Sequence, residues 1–184
     1  MPLDLDAARK LVTPIYDALT RPGEKDVEAL IKSVTAADFQ SCSHEGECVG
    51  QAAAITRFKG LASVIADLNG TIKELFVSGE DTIIVRGEAT GTPIKTFLGT
   101  EPTGRSFRTM SMDLYTVTHS RIWRSYYVEN GTAALCQRQR LTTSAKRRRC
   151  DQQSERRSSA ALLTGGISET LDSCYAGKSA FGVR

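Results

Sequence analysis

The 184-residue sequence predicts an α+β fold, with helices packed over one face of a curved antiparallel sheet. Two observations lead there. Three stretches within the first 65 residues carry apolar side chains at three- and four-residue spacing, and from residue 71 the pattern changes to runs of β-branched and aromatic type. Helices and strands are therefore segregated along the chain rather than interleaved.

The first helix spans 3–19, with apolar residues at 8, 11, 12, 15, 16 and 19, and with Asp4 and Asp6 in the first turn, where the helix dipole favours them. Pro14 lies inside the pattern and is expected to kink or split it. Arg21-Pro22-Gly23 stops the helix, and 24–34 reads as a second short one with Val27, Leu30, Ile31 and Val34 on one face. Residues 37–50, ADFQSCSHEGECVG, read as irregular and polar. A third helix covers 51–65 with the stripe Ile55, Phe58, Leu61, Ala62 and Ile65. Strands at 71–78 and 82–92 flank Gly79-Glu80-Asp81, and 93–104 is a loop with two prolines and two glycines. The last two strands, 106–117 and 121–128, are joined by Thr118-His119-Ser120, which suits a hairpin with a three-residue connection. Four strands in antiparallel succession result. Residues 131–141 can close the domain.

Composition narrows the function classes. Hydrophobic content of 40% and charged content of 24% are ordinary for a globular domain. No run approaches the roughly 18 apolar residues of a membrane span, and the first ten residues, MPLDLDAARK, show no signal-peptide pattern. A cytoplasmic location is expected. Residues 138–184 hold ten Lys/Arg against four Asp/Glu, so 1–137 hold fourteen against seventeen. The body is mildly acidic, which argues against nucleic acid as its partner. The basic tail, 138–184, lacks sustained periodicity and reads as a disordered extension. Its Lys146–Arg149 run with Arg156-Arg157 also fits a nuclear-localisation patch. Five cysteines at irregular spacing favour reduced thiols over a disulfide framework. Cys42, His44 and Cys48 match no standard zinc spacing, so no metal is expected.

The segment that invites chemistry is the last hairpin. Side chains alternate along a strand, so Phe107, Thr109, Ser111, Asp113, Tyr115 and Val117 share one face. That face is apolar at both ends, with a carboxyl, hydroxyls and a phenol between, as expected of a strand lining a mostly apolar ligand cavity. Met110, Met112 and Leu114 occupy the opposite face, which suggests a homodimer formed through the outside of the sheet.

Several phrases, in order, resemble the SnoaL-like polyketide cyclase (ester cyclase) branch of the nuclear transport factor 2-like superfamily. They are LVTPIYDAL, IADLNGTIKELFVSGEDTIIVRGEATGTP, FLGTEPTGRSF, MDLYTV and RIWRSYYVEN, and together they cover about residues 5–137. The resemblance implies a cone-shaped barrel, a bent sheet wrapped around helices with a pocket between them. It also implies intramolecular aldol ring closure on a polyketide ester, with no metal or organic cofactor. In that family a buried aspartate on the last strand is the acid/base, with a polar partner on the preceding strand. The position matching the aspartate here is Tyr127, and the partner position is Asp113.

Proton abstraction beside a carbonyl needs a base and a group to hold the enolate oxygen. Asp113 is the acidic residue that the strand reading places on the inward face, and desolvation there raises a carboxyl pKa. Ser111 and Tyr115 flank it at two-residue spacing, while Trp123, Ser125 and Tyr127 alternate on one face across the hairpin. Tyr16 on the first helix and His44 at the pocket rim complete the candidate set. Each has a plain structural alternative: Asp113 as a hydrogen-bond acceptor, the phenols and Trp123 as packing, His44 as an exposed loop residue. The expected partner is a hydrophobic small molecule. A non-catalytic binding module of the same fold is the alternative function.

Overall fold

The computed structural model describes residues 3–44 and 46–138, and Met1–Arg138 form one compact unit. The basic tail beyond residue 138, with its nuclear-localisation patch, lies outside the described residues. Helices α1 (Leu5–Leu19) and α2 (Val27–Val34) come first, followed by strands β1 (Thr35–His44) and β2 (Glu47–Gly50) and helix α3 (Gln51–Val64). Strands β3 (Asn69–Ser78), β4 (Thr82–Gly91), β5 (Phe107–Thr118) and β6 (Arg121–Glu129) follow, and α4 (Gly131–Arg138) closes the unit. The architecture is α+β, with the six strands among the described residues in the order β2-β1-β6-β5-β4-β3.

Local chemistry starts the helices where the sequence places them. Asp4 caps α1 by accepting from the Ala7 amide at 2.7 Å, and Asp26 caps α2 by accepting from Ala29 at 3.0 Å. Pro14 does not split α1, which runs unbroken past it. Ala8 and Val12 before the proline and Ile15 and Tyr16 after it bury one stripe in the same core, and this packing offsets one missing backbone bond.

The structure corrects the strand count and the sheet type. Residues 37–50, read as irregular, instead form most of β1 and all of β2. β1 pairs antiparallel with β2 and parallel with β6, so the sheet is mixed. Few β-formers mark this segment; its conformation comes from pairing on both sides, a tertiary effect that propensity misses. Arg121 adds a tie at its start, donating to the carbonyl oxygens of Lys32, Ser33 and Thr35.

Pairing also overturns the expectation of reduced thiols at two positions. Cys42 and Cys48 face each other across the β1–β2 hairpin with Cα atoms 4.1 Å apart, and they form a disulfide. A cross-strand pair supplies the proximity that irregular sequence spacing conceals. Because the closed loop is short, Cys48→Ser is expected to cost about 2 kcal/mol. The check is a Tm difference from wild type in non-reducing buffer that disappears when both proteins are reduced.

The β5–β6 connection is tighter than expected. β5 continues through Thr118, leaving His119 and Ser120 as a two-residue turn with φ of 50° and 59°, the left-handed pair that suits strand twist. Below it a bulge shifts the register, so that Val117 pairs with Ile122 and Thr116 with Arg124.

The main core lies between the inner sheet face and α1, α2 and α3. Val12, Ile15, Ile31, Ile55, Ile83, Val85, Tyr115 and Ile122 are all buried there. A smaller cluster of Ile65, Leu68, Phe107 and Ala134 lies toward α4, where Phe97 stacks on Phe107 at 5.5 Å. Arg138 donates to the carbonyls of Phe97 and Thr100, tying α4 to the loop before β5.

Candidate functional site

β5 alternates as its sequence suggests. Phe107, Thr109 and Tyr115 are buried and Ser111 and Asp113 half-buried, whereas Met110, Met112 and Leu114 are exposed. On β6, Tyr127 is the direct partner of Asp113, Ser125 of Tyr115, and Glu129 of Ser111. Directly opposed side chains lie roughly 5 Å apart at Cβ. Asp113, Ser111, Tyr127 and Glu129 therefore form one compact polar group on the inner face of the sheet.

From α1, Tyr16 reaches this group and donates its hydroxyl to Asp113 Oδ2 at 2.7 Å. Ser111 Oγ donates to the same oxygen at 2.9 Å. Oδ1 of Asp113 accepts no hydrogen bond among the described residues. The carboxyl is thus fixed through one oxygen and open at the other.

Room for this contact comes from Gly87 on β4, which pairs with Ser111. A Cβ at that position would overlap the Tyr16 hydroxyl and lie 2.6 Å from Ser111 Oγ. Only the bare backbone lets both donors converge on Asp113.

From α3, Arg57 enters on the other side. Its Nη1 donates to the Tyr127 hydroxyl at 2.7 Å and its Nη2 to Ser41 Oγ at 3.0 Å, with the guanidinium carbon 4.9 Å from the Tyr127 ring centre. Ser41, on β1, pairs with Ser125.

The electrostatics follow from this placement. Burial pushes the Asp113 carboxyl above its ordinary range, and the hydrogen bonds from Tyr16 and Ser111 only partly counter it. Burial also raises Glu129, with a further push from Asp113 and an opposing pull from Arg57. Tyr16 is raised too, by burial first and then by the adjacent Asp113 charge, so it remains a hydrogen-bond donor. Protein atoms crowd the carboxyls of Asp113 and Glu129, yet Asp113 is only half-buried and Glu129 is exposed as a residue.

The remaining expected residues are placed as follows. Tyr115 sits at 4% exposure inside the main core, where burial raises its pKa. Ser125 is buried on the inner face. Trp123 leaves the row expected for it, because the bulge gives the inward place to Ile122; its ring instead lies 4.2 Å beneath the Arg124 guanidinium. His44 ends β1 opposite Glu47, and Cys42 is taken up by the disulfide. The expectation that Asp113 is the sole inward acid is also corrected. β6 extends one residue beyond the expected strand end, and Glu129 continues the row of Ser125 and Tyr127. That Ser125-x-Tyr127-x-Glu129 alternation was its sequence signal. Arg57 had none, since it lies off the apolar stripe of α3 and its partners are distant in sequence.

The sequence matches a known family. The family model described as SnoaL-like polyketide cyclase matches residues 10–138. The chain is a member of the SnoaL-like polyketide cyclase family. Among solved structures it is similar to TsrD from Streptomyces laurentii, with 19% identity, a TM-score of 0.65, and coverage of 76% of this chain and 99% of that one. It is also similar to a candidate SnoaL-like polyketide cyclase from Jannaschia sp. CCS1, with 21% identity, a TM-score of 0.62, and coverage of 72% and 92%. A more distant likeness is an LEH-like epoxide hydrolase from M. tuberculosis, at 9% identity and a TM-score of 0.54, covering 72% of this chain and 90% of that one. At these identities the structural likenesses establish the nuclear transport factor 2-like fold alone. No curated protein sequence matches the chain.

Proposed function

We propose that the chain is a cofactor-independent cyclase or isomerase acting on a polyketide-like carbonyl compound in secondary metabolism, with Asp113 as the base. The observation that carries this reading is the asymmetry of the Asp113 carboxyl: Oδ2 is held by Tyr16 and Ser111 while Oδ1, on the inner face of the sheet, accepts no hydrogen bond from the described residues. Donors on one oxygen orient the other, and burial keeps the carboxyl basic enough to accept a proton from carbon.

The departure from the family pattern is an exchange between partners. The expected aspartate position holds Tyr127 and the expected partner position holds Asp113, yet the two face each other directly across β5 and β6. Moving the carboxylate to the opposed strand displaces it by roughly 5 Å, so it stays within the same polar group on the inner face of the sheet. In the proposed reaction Oδ1 takes a proton from the carbon beside a carbonyl, and the C–H electron pair moves onto the carbonyl oxygen as an enolate. For ring closure the enolate carbon attacks a second carbonyl of the same molecule, and the resulting alkoxide recovers the proton from Asp113. For isomerisation the proton returns to a different carbon. Tyr127 and Tyr16 orient the substrate, with Ser111 beside them.

Proton exchange tests the reading without the natural substrate. Incubating 2-tetralone in D₂O, wild type should accelerate loss of the α-proton NMR signals above the buffer rate. Exchange at the buffer rate, with this ketone bound, would instead favour a non-catalytic binding module.

The outer sheet face supports a homodimer. Met110, Met112 and Leu114 are 47%, 42% and 37% exposed, alongside Val128 and Phe76, an apolar patch of the kind that partners cover. Met112→Lys is expected to shift the sedimentation coefficient from dimer to monomer, and an unchanged dimer would place the contact elsewhere.

A further inference from the structure

We propose that Arg57 and Tyr127 form an oxyanion site, with Arg57 holding and polarising a phenol that takes the enolate or phenolate oxygen of a bound ligand. This rests on the reading of Asp113 as a base and names the group that receives the charge Asp113 generates. A tyrosine hydroxyl has one proton to donate and can accept at its lone pairs. Arg57 Nη1 donates to the Tyr127 oxygen at 2.7 Å, and no described residue accepts from that hydroxyl. Its proton is therefore uncommitted, on the same inward row as Asp113.

The cation strengthens the donor. A hydroxyl that accepts from a guanidinium gives up more electron density and donates more strongly in turn. The Nη2 bond to Ser41 at 3.0 Å anchors the guanidinium to β1, and the stack over the Tyr127 ring fixes the angle between the two groups. A clamp joining α3 to the sheet would need only these contacts. The spare hydroxyl proton, on the residue paired with a half-buried carboxyl in the ladder, is surplus to that role.

The spacing suits the chemistry. Asp113 and Tyr127 are a direct cross-strand pair, so a carbon acid at Asp113 Oδ1 can present its carbonyl oxygen to the Tyr127 hydroxyl within one small molecule. The charged groups facing this position are Asp113 from β5, Glu129 from β6 and Arg57 from α3, with the neutral Tyr16 from α1. When Asp113 has taken the substrate proton it is neutral, and Arg57 is left facing the new oxyanion.

Binding of 4-nitrophenol, whose ionised form has its own visible absorbance, tests the site without turnover. Wild type should bind it with an enhanced phenolate band. Arg57→Gln and Tyr127→Phe should each weaken binding roughly tenfold to a hundredfold, the range for a hydrogen bond to a charged group. Asp113→Asn, which mimics the protonated acid, should bind more tightly than wild type. No binding by wild type, or phenolate binding as tight as wild type's in both the Arg57 and Tyr127 variants, overturns the proposal. Tyr127→Phe removes only a hydroxyl, so it carries the test if Arg57→Gln loses its far-UV circular dichroism. The two readings fail separately: phenolate binding that depends on Arg57, with no proton exchange in any ketone, sinks the base and leaves the oxyanion site standing.

Discussion

Asp113→Asn is expected to lower the rate of α-proton exchange by about a hundredfold to ten-thousandfold, the usual worth of a positioned general base, and at the same time to raise stability at neutral pH. The two effects share a cause. The amide can still accept from Tyr16 and Ser111 through its oxygen, so the local bonds survive. What disappears is a carboxylate whose charged form is disfavoured by burial. With its folded pKa above the unfolded value, the native state of the wild type binds the proton more tightly than the unfolded state does. Stability from this group is therefore fully present below the ordinary carboxyl value of 3.8 and is lost as pH rises through the raised folded value. The Tm of the variant relative to wild type should accordingly climb with pH from the acid range and level off above the folded pKa. A Tm difference that does not change with pH would show that Asp113 titrates as in the unfolded chain, and a rate unchanged by the substitution would remove Asp113 as the base.

Much of this site was legible because alternation along β5 needs no tertiary information. One face carried Ser111, Asp113 and Tyr115 and the other Met110, Met112 and Leu114, and the structure separates them in that way. Tyr16 fell on the buried stripe of α1, so its inward direction was readable even though its acceptor was not. What failed shares a physical basis. β1 and its disulfide owe their form to partners on both sides rather than to β-forming residues. Trp123 was misplaced because one bulge inverts a period-two reading from that point, and Glu129 was missed because strand ends are set by the ladder rather than by composition. Arg57 is a polar position on a helix, indistinguishable in sequence from a solvated one until α3 is packed against β1 and β6.

Gly87→Ala is expected to damage activity and stability together, which separates it from Asp113→Asn. The added methyl points into the inner face, where it would overlap the Tyr16 hydroxyl and approach Ser111 Oγ to 2.6 Å and Tyr16 Cε1 to 3.0 Å. Neither neighbour can yield cheaply. Tyr16 is 6% exposed within the main core, and Ser111 is held by its strand directly opposite the substitution. Overpacking of this kind costs about 1–3 kcal/mol, and displacing both donors exposes Asp113 Oδ2 to a further loss of about 1–3 kcal/mol for hydrogen bonds to a charged group. Part of the clash is relieved in Tyr16→Phe, which removes the overlapping oxygen. The double variant Gly87→Ala/Tyr16→Phe should therefore be less destabilised than the two single effects summed, a coupling readable by chemical denaturation. Additive losses would mean that Tyr16 does not occupy the space above Gly87. Exchange activity should stay low in the double variant even where stability recovers, because the Asp113 carboxyl then keeps only Ser111 to orient it.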